Sequence, residues 1–169
     1  MSLTFRKGTL SDAERFTGFL AEIRAGMSNK EWLYLDPPDL VREMIADGTM
    51  ELWLAVDGDR LAAVFDILYP GLDSCNYGYD LNLTESELLQ VVHMDTSAVH
   101  PDYRGQGLQG RMVHTAEREL VGSGKRILLC TVHPENRFSL NNMLQQGFEI
   151  QKLVRKYCSE RLILRKNIF

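Results

Sequence analysis

"YRGQGLQGRM", residues 103–112, sets glycines at positions 105, 107 and 110. Gly-x-Gly-x-x-Gly at the start of a helix is the spacing of a dinucleotide-binding loop, but spacing alone does not choose the ligand. In a nicotinamide or flavin fold an apolar strand runs straight into the first glycine, and an acid about 20 positions on holds a ribose. Here "HPDYR" intervenes, Pro101 ends strand pairing, and the next strand closes on "CTVH" with no acid in place. A dinucleotide site is therefore disfavoured, while the physics of the loop survives. Gly105 and Gly107 allow tight backbone geometry, and the helix start offers unpaired N–H groups and a positive dipole end. Arg104 and Arg111 add charge, so the loop suits a pyrophosphate; the competing reading is a glycine turn with solvated arginines.

Strands and helices alternate around this loop. "LTFRKGT" reads as a strand. Ser11 and Glu14 form a Ser-x-x-Glu capping box before Phe16, Phe19, Leu20 and Ile23, which predicts a helix over residues 12–25. "PPDLVREMIADG" predicts a second short helix, and Asp57-Gly58 marks a hairpin between "MELWLAV" and "RLAAVFDILY". Residues 70–88 read as a loop with a helical turn near "ESELL". "LQVVHMDTSAV" is a strand, "GLQGRMVHTAERELVGSG" a helix and "KRILLCTVH" a buried strand. "NRFSLNNMLQQG" is a helix between an Asn136 cap and Gly147, and "FEIQKLVRKYC" and "ERLILRK" are two last strands. The order β-α-α-β-β-β-α-β-α-β-β, without repeat or linker, describes one mixed α/β domain over residues 1–169.

Composition narrows the function. The net charge of −4 argues against nucleic acid as a partner. No window approaches the roughly 20 apolar residues of a membrane span, and no signal peptide opens the chain, so a cytoplasmic protein with no membrane partner is expected. Cys75, Cys130 and Cys158 form no Cys-x-x-Cys pair and read as free thiols, and the four histidines show no metal spacing, so no metal site is expected. The apolar end "RLILRKNIF" is available to pair across a homodimer.

Two segments together resemble one family. "VHMDTSAVHPDYRGQGLQGRMVHTAEREL" is similar to the acyl-CoA-binding segment of the GNAT-type N-acetyltransferase superfamily. That segment is a strand ending in a Val-x-Pro-like turn, then Arg/Gln-x-x-Gly-x-Gly/Ala at a helix start. Arg104 and Gly107 match, while Gln109 stands where the family has Gly or Ala. "VHPENRFSLNNMLQQGFE" resembles the second signature, with Asn136, Ser139, Gly147 and Phe148 in place, and "FRKGTLSDAERFTGFL" fits the family's N-terminus. The resemblance covers nearly the whole chain, and its specific motifs span residues 91–148. It implies an α/β (α+β) fold: a mixed, mostly antiparallel sheet of six to seven strands flanked by helices, with strands splayed at the CoA site.

The resemblance also implies acetyl-CoA as acyl donor and a primary amine, on a small molecule or a peptide, as acceptor. Ser97, Ala98 and Val99 would run beside the pantetheine arm, with the Val99 N–H on the thioester carbonyl. Arg104, Gly105, Gln106, Gly107, Leu108 and Gln109 would cradle the pyrophosphate, and Asn136 and Ser139 would meet the cofactor arm. For the base, Asp95 and His93 share one strand face, with Glu87 and Asp80 as weaker candidates. The family's usual tyrosine acid is replaced by Met143, whose thioether donates no proton; Tyr157, Cys158 and Tyr103 are the substitutes. Trp32, Tyr34, Tyr77 and Tyr79 are candidate walls of the acceptor site, and Asp73 and Asp80 are candidate attractors for a cationic amine. Met143 also leaves open a different class of protein, a non-catalytic acyl-CoA-binding or regulatory module.

Overall fold

Seven strands form one sheet in the computed structural model, which describes residues 3–169. They are β1 (Thr4–Lys7), β2 (Met50–Asp57), β3 (Arg60–Leu68), β4 (Val91–Val99), β5 (Ile127–Val132), β6 (Glu149–Lys156) and β7 (Ser159–Asn167). The order across the sheet is β1-β2-β3-β4-β5-β7-β6, and every neighbouring pair is antiparallel except β4–β5. The helices are α1 (Ala13–Ala25), α2 (Pro38–Asp47), α3 (Glu85–Leu88), α4 (Leu108–Leu120) and α5 (Arg137–Gln145). The expected mixed, mostly antiparallel sheet flanked by helices is present. Among the described residues no helix is long and apolar enough to cross a membrane.

Burial explains the layers. Leu108, Met112, Val113, Ala116 and Leu120 repeat at helical spacing on α4 and pack with Phe65, Val92 and Leu128 on one face of the sheet. Phe16, Leu20 and Ile23 of α1 and Val41 of α2 cover the other face over β2 and β3. Strand β3 is buried along nearly its whole length because helices lie on both sides of it.

Strand β4 is irregular on both of its edges. Its parallel pairing with β5 covers only Val91–His93 against Ile127–Leu129, although both strands continue beyond it. Its register with β3 also slips: Ile67 faces Met94 but Phe65 faces Ser97. Asp95 and Thr96 thus stand together opposite Asp66, a β-bulge. The bulge breaks the alternation, so both residues turn toward the α1 side of the sheet.

Several local expectations need correction. The N-terminal cap is not made by Ser11 and Glu14. Asp12 accepts from the Thr9 N–H at 2.9 Å and holds Arg6 at 2.7 Å, while Glu14 pairs with Arg42 at 2.8 Å. Strand β7 lies between β5 and β6, so its edges are already paired and give a homodimer nothing to add to. Tyr157 and Cys158 are not strand residues. They form the two-residue loop closing β6 onto β7, with φ of 55° and 61°. That conformation normally takes Asn-Gly and costs a residue with a Cβ roughly 1–2 kcal/mol. Cys158→Gly is therefore expected to stabilise the protein by about 1 kcal/mol, after its own unfolded-state entropy, raising Tm by about 2–4 °C. Thermal unfolding followed by circular dichroism would check this.

Candidate functional site

A cleft of about 1000 Å³ opens where β4 leaves β5. It is lined by β4 from Met94 to Val99, the loop before α4, the first turns of α4, one side of α5 as far as Gln145, and Tyr157. The backbone directions derive from one bond. The His100 N–H donates to the Ala62 carbonyl at 2.8 Å, and antiparallel alternation then bonds Ala98 to Val64. Ser97 and Val99 consequently turn their N–H and C=O groups the other way, into the gap.

At one end of the cleft α4 begins without a side-chain cap, and its N-cap is Gly107 at φ 67°. The first intrahelical bond runs from the Arg111 N–H to the Gly107 carbonyl at 3.1 Å. The amides of Leu108, Gln109 and Gly110 therefore lack acceptors within the helix, as an anion site requires. Gly105 also has a positive φ, 76°. Arg104, Gly105, Gly107, Leu108 and Gln109 all line the cleft, whereas Gln106 does not. Arg111 points elsewhere, its guanidinium 4.4 Å from the centre of the Phe5 ring. Gln109 bridges the walls: its Nε2 donates to Ser97 Oγ at 3.1 Å and its Oε1 accepts from Asn142 at 2.6 Å. From α5, Asn136, Ser139 and the buried Met143 also line the cleft. The Asn136 side-chain oxygen caps α5 by accepting from the Ser139 N–H at 3.2 Å, a cap that leaves the amide nitrogen uncommitted.

At the other end the bulge gathers acids. Asp95 lines the cleft and accepts from the Tyr77 hydroxyl at 3.1 Å, and Tyr77 hydrogen-bonds in turn to the Tyr157 hydroxyl. Tyr157 packs on Tyr34 with ring centroids 4.7 Å apart. Asp66 accepts from the Thr96 N–H at 3.0 Å. Burial, with the nearby charge of Asp36, pushes the Asp95 carboxyl up to about 6. Burial, with Asp95 beside it, drives Asp66 well above the carboxylate range. Burial likewise raises the hydroxyls of Tyr77 and Tyr157, so both remain protonated donors at neutral pH.

The structure separates His93 from Asp95. His93 is 1 % exposed, stacks flat on Tyr77 at 3.8 Å, and accepts the Tyr77 N–H on Nε2 at 3.2 Å. Burial brings its imidazole down to about 3, so it stays neutral; it positions Tyr77 and does not line the cleft. The weaker base candidates are committed elsewhere. Glu87 caps α3 through the Thr84 N–H at 2.8 Å, and Asp80 pairs with Lys156 at 2.8 Å. Asp73 accepts from the Cys75 N–H at 2.9 Å and Tyr79 donates to the Leu72 carbonyl at 2.8 Å, so neither serves the cleft. Trp32 and Tyr34 do line it. Tyr103 donates to Asp57 at 2.9 Å. Two acids that matter, Asp36 and Asp66, escape sequence reasoning. For Asp66 the available signal is a lone carboxylate inside the apolar run "AAVFDILY".

Comparison with known proteins agrees with this geometry. No curated protein sequence matches the chain. Among solved structures, Arabidopsis thaliana NAA60 in complex with acetyl-CoA is similar with a TM-score of 0.78 at 15% identity, covering 99% of both chains. An acetyltransferase of the GNAT family from Streptococcus pneumoniae gives 0.75 at 16% identity, covering 99% of this chain and 100% of its own. YncA from Salmonella typhimurium, a putative acetyltransferase with acetyl-CoA as its cofactor, gives 0.72 at 12%, covering 99% and 94%. At these identities the likeness speaks for the fold. The sequence model of the acetyltransferase (GNAT) family matches residues 21–148, most of the chain, and the protein belongs to that family.

Proposed function

We propose that the protein transfers the acetyl group of acetyl-CoA to a primary amine of a small molecule or peptide. The observation that carries this reading is the divergence of β4 and β5 onto the uncapped start of α4. The residues there fit the donor: a cleft of about 1000 Å³, free first-turn amides, and a glycine backbone with no Cβ. Acetyl-CoA would supply the activated acyl group. The amides of residues 107–110, with Gly105 and Arg104, would hold its pyrophosphate. Asn136 and Ser139 would bind the arm, and Ser97, Ala98 and Val99 would flank it. Gln106, outside the cleft, has no part in this assignment.

The chemistry then needs three services from the chain. The Val99 N–H, aimed into the gap, donates to the carbonyl oxygen as negative charge builds on it. Asp95 takes the proton from the amine nitrogen. Tyr157 returns a proton to the departing sulfur and is refilled from Tyr77, which is refilled from Asp95. A C–N bond forms, a C–S bond breaks, and the relay ends in its starting protonation state. Tyr157 thus supplies from the β6–β7 turn what Met143 cannot supply from α5, which weighs against the non-catalytic module.

Gly107→Glu is expected to lower acetyl-CoA affinity by more than about tenfold, placing bulk and charge against the phosphates. Gly107→Ala, which carries only the φ strain, separates the two effects in calorimetric titration. With saturating amine, kcat is expected to rise with pH through an apparent value near 6, the range to which burial lifts Asp95. Asp95→Asn should remove that limb and lower kcat by about 10²–10⁴. The Tyr77 hydroxyl stabilises the Asp95 carboxylate, so Tyr77→Phe should move the limb to higher pH as well as slow turnover. An unchanged pH profile in Asp95→Asn would contradict the assignment.

A further inference from the structure

A second cavity, of about 450 Å³, lies between α1, α2 and the sheet. Phe16, Leu20, Val41 and Met50 give it apolar walls, and Asp36 and Asp66 are its two acids. It adjoins the cleft, since Tyr34 and Thr96 line both. Asp66 is 1 % exposed, and its Oδ2 has no hydrogen-bond partner. Its other oxygen is spent on the Thr96 N–H. None of Asp36, Asp66 and Asp95 takes part in an ion pair among the described residues.

A buried carboxylate oxygen without a donor is rare, because desolvating it is costly. A structural aspartate would carry an arginine, a lysine or two hydroxyls. This one carries a single amide and faces like charges. The polar residues lining the cavity with it are Thr17, Tyr34, Asp36 and Thr96, and no lysine, arginine or histidine is among them, so the partner that would suit it is a cation brought from outside. The cation must pass along apolar walls, so it sits on a hydrocarbon segment. On the acetyl-transfer reading the reacting nitrogen would stand in the neighbouring cleft, which Asp95 lines.

We propose that this cavity receives the far end of the acceptor and that the acceptor is a diamine, with one ammonium held by Asp66 and Asp36 and the other presented for acetylation. The proposal rests on the acetyl-transfer reading for its second half only. Thr96 and Tyr34 form the passage between the two ends. Burial and the charges of Asp95 and Asp36 disfavour the Asp66 carboxylate, and an ammonium placed against its unpartnered oxygen would relieve that cost.

The test pairs binding with turnover. Putrescine and cadaverine are compared with n-butylamine and n-pentylamine, by calorimetry and by mass spectrometry of acetylated product with acetyl-CoA. The diamines are expected to bind, and to react by kcat/KM, about tenfold or more better than the monoamines. Asp66→Asn keeps an acceptor for Thr96 and should abolish that preference. Because Asp66 ionises above its usual range, its charge opposes folding as pH rises from the ordinary carboxylate range. The Asn variant should therefore have a higher Tm at mildly alkaline pH. A lower Tm would make Asp66 a structural residue and overturn the proposal. Equal acetylation of mono- and diamines would overturn it while leaving acetyl transfer intact. Asp66-dependent diamine binding without any acetylated product would uphold the cavity and overturn acetyl transfer. No diamine binding would overturn the cavity.

Discussion

After His93, strand β4 has no β5 beside it, and the backbone it turns into the gap needs partners. Buried N–H and C=O groups are almost always paired, so a sheet that opens at its centre must close over water or a ligand. The chain holds this opening from several sides. Pairing with β3 fixes one edge of β4, α4 and α5 support the opening on one face, and the β6–β7 turn brings Tyr157 to the other. A shift of one residue in the β4 register would turn the Ser97 and Val99 amides onto β3 and bring those of Ala98 and His100 into the cleft in their place.

The bulge at Asp95–Thr96 is the second consequence of that opening. It points two consecutive side chains to one face and brings Asp95 beside Asp66 and Tyr77. The site therefore stacks unfavourable terms: crowded carboxylates, an orphan oxygen, two residues in left-handed backbone, and a helix with no cap. Each is tolerated because packed strands and helices over-determine the local geometry, and each is what a ligand or a reacting proton can use.

Some of this is legible in the sequence. Arg104, Gly107 and the segment from Asn136 to Phe148 are local signals; they lead to the observed fold, and Arg104, Gly107, Asn136 and Ser139 line the cleft beside β4. Asp95 comes from strand alternation. The same alternation misleads for His93, because the residues that bury it, Tyr77 and its loop, come from a distant stretch with no periodic pattern. Tyr157 reads as a strand residue since Tyr-Cys carries none of the glycine or asparagine that marks a two-residue turn. Asp73, Asp80 and Glu87 look like free acids, but short-range amides and a lysine occupy them. Asp66 is hidden in an apolar strand. A charge in a run buried on both faces is the signal that exposes it.

Every role proposed for this chain depends on donor binding in the gap between β4 and β5 and at the bare start of α4. Amide NMR of the ¹⁵N-labelled protein during titration with acetyl-CoA tests it most directly. The largest shifts are expected on Ser97, Val99, Gly105, Gly107 through Gly110 and Asn136, with the Val99 proton moving downfield as it meets the carbonyl. Shifts concentrated elsewhere, with Val99 and the α4 start unmoved at saturation, would contradict it.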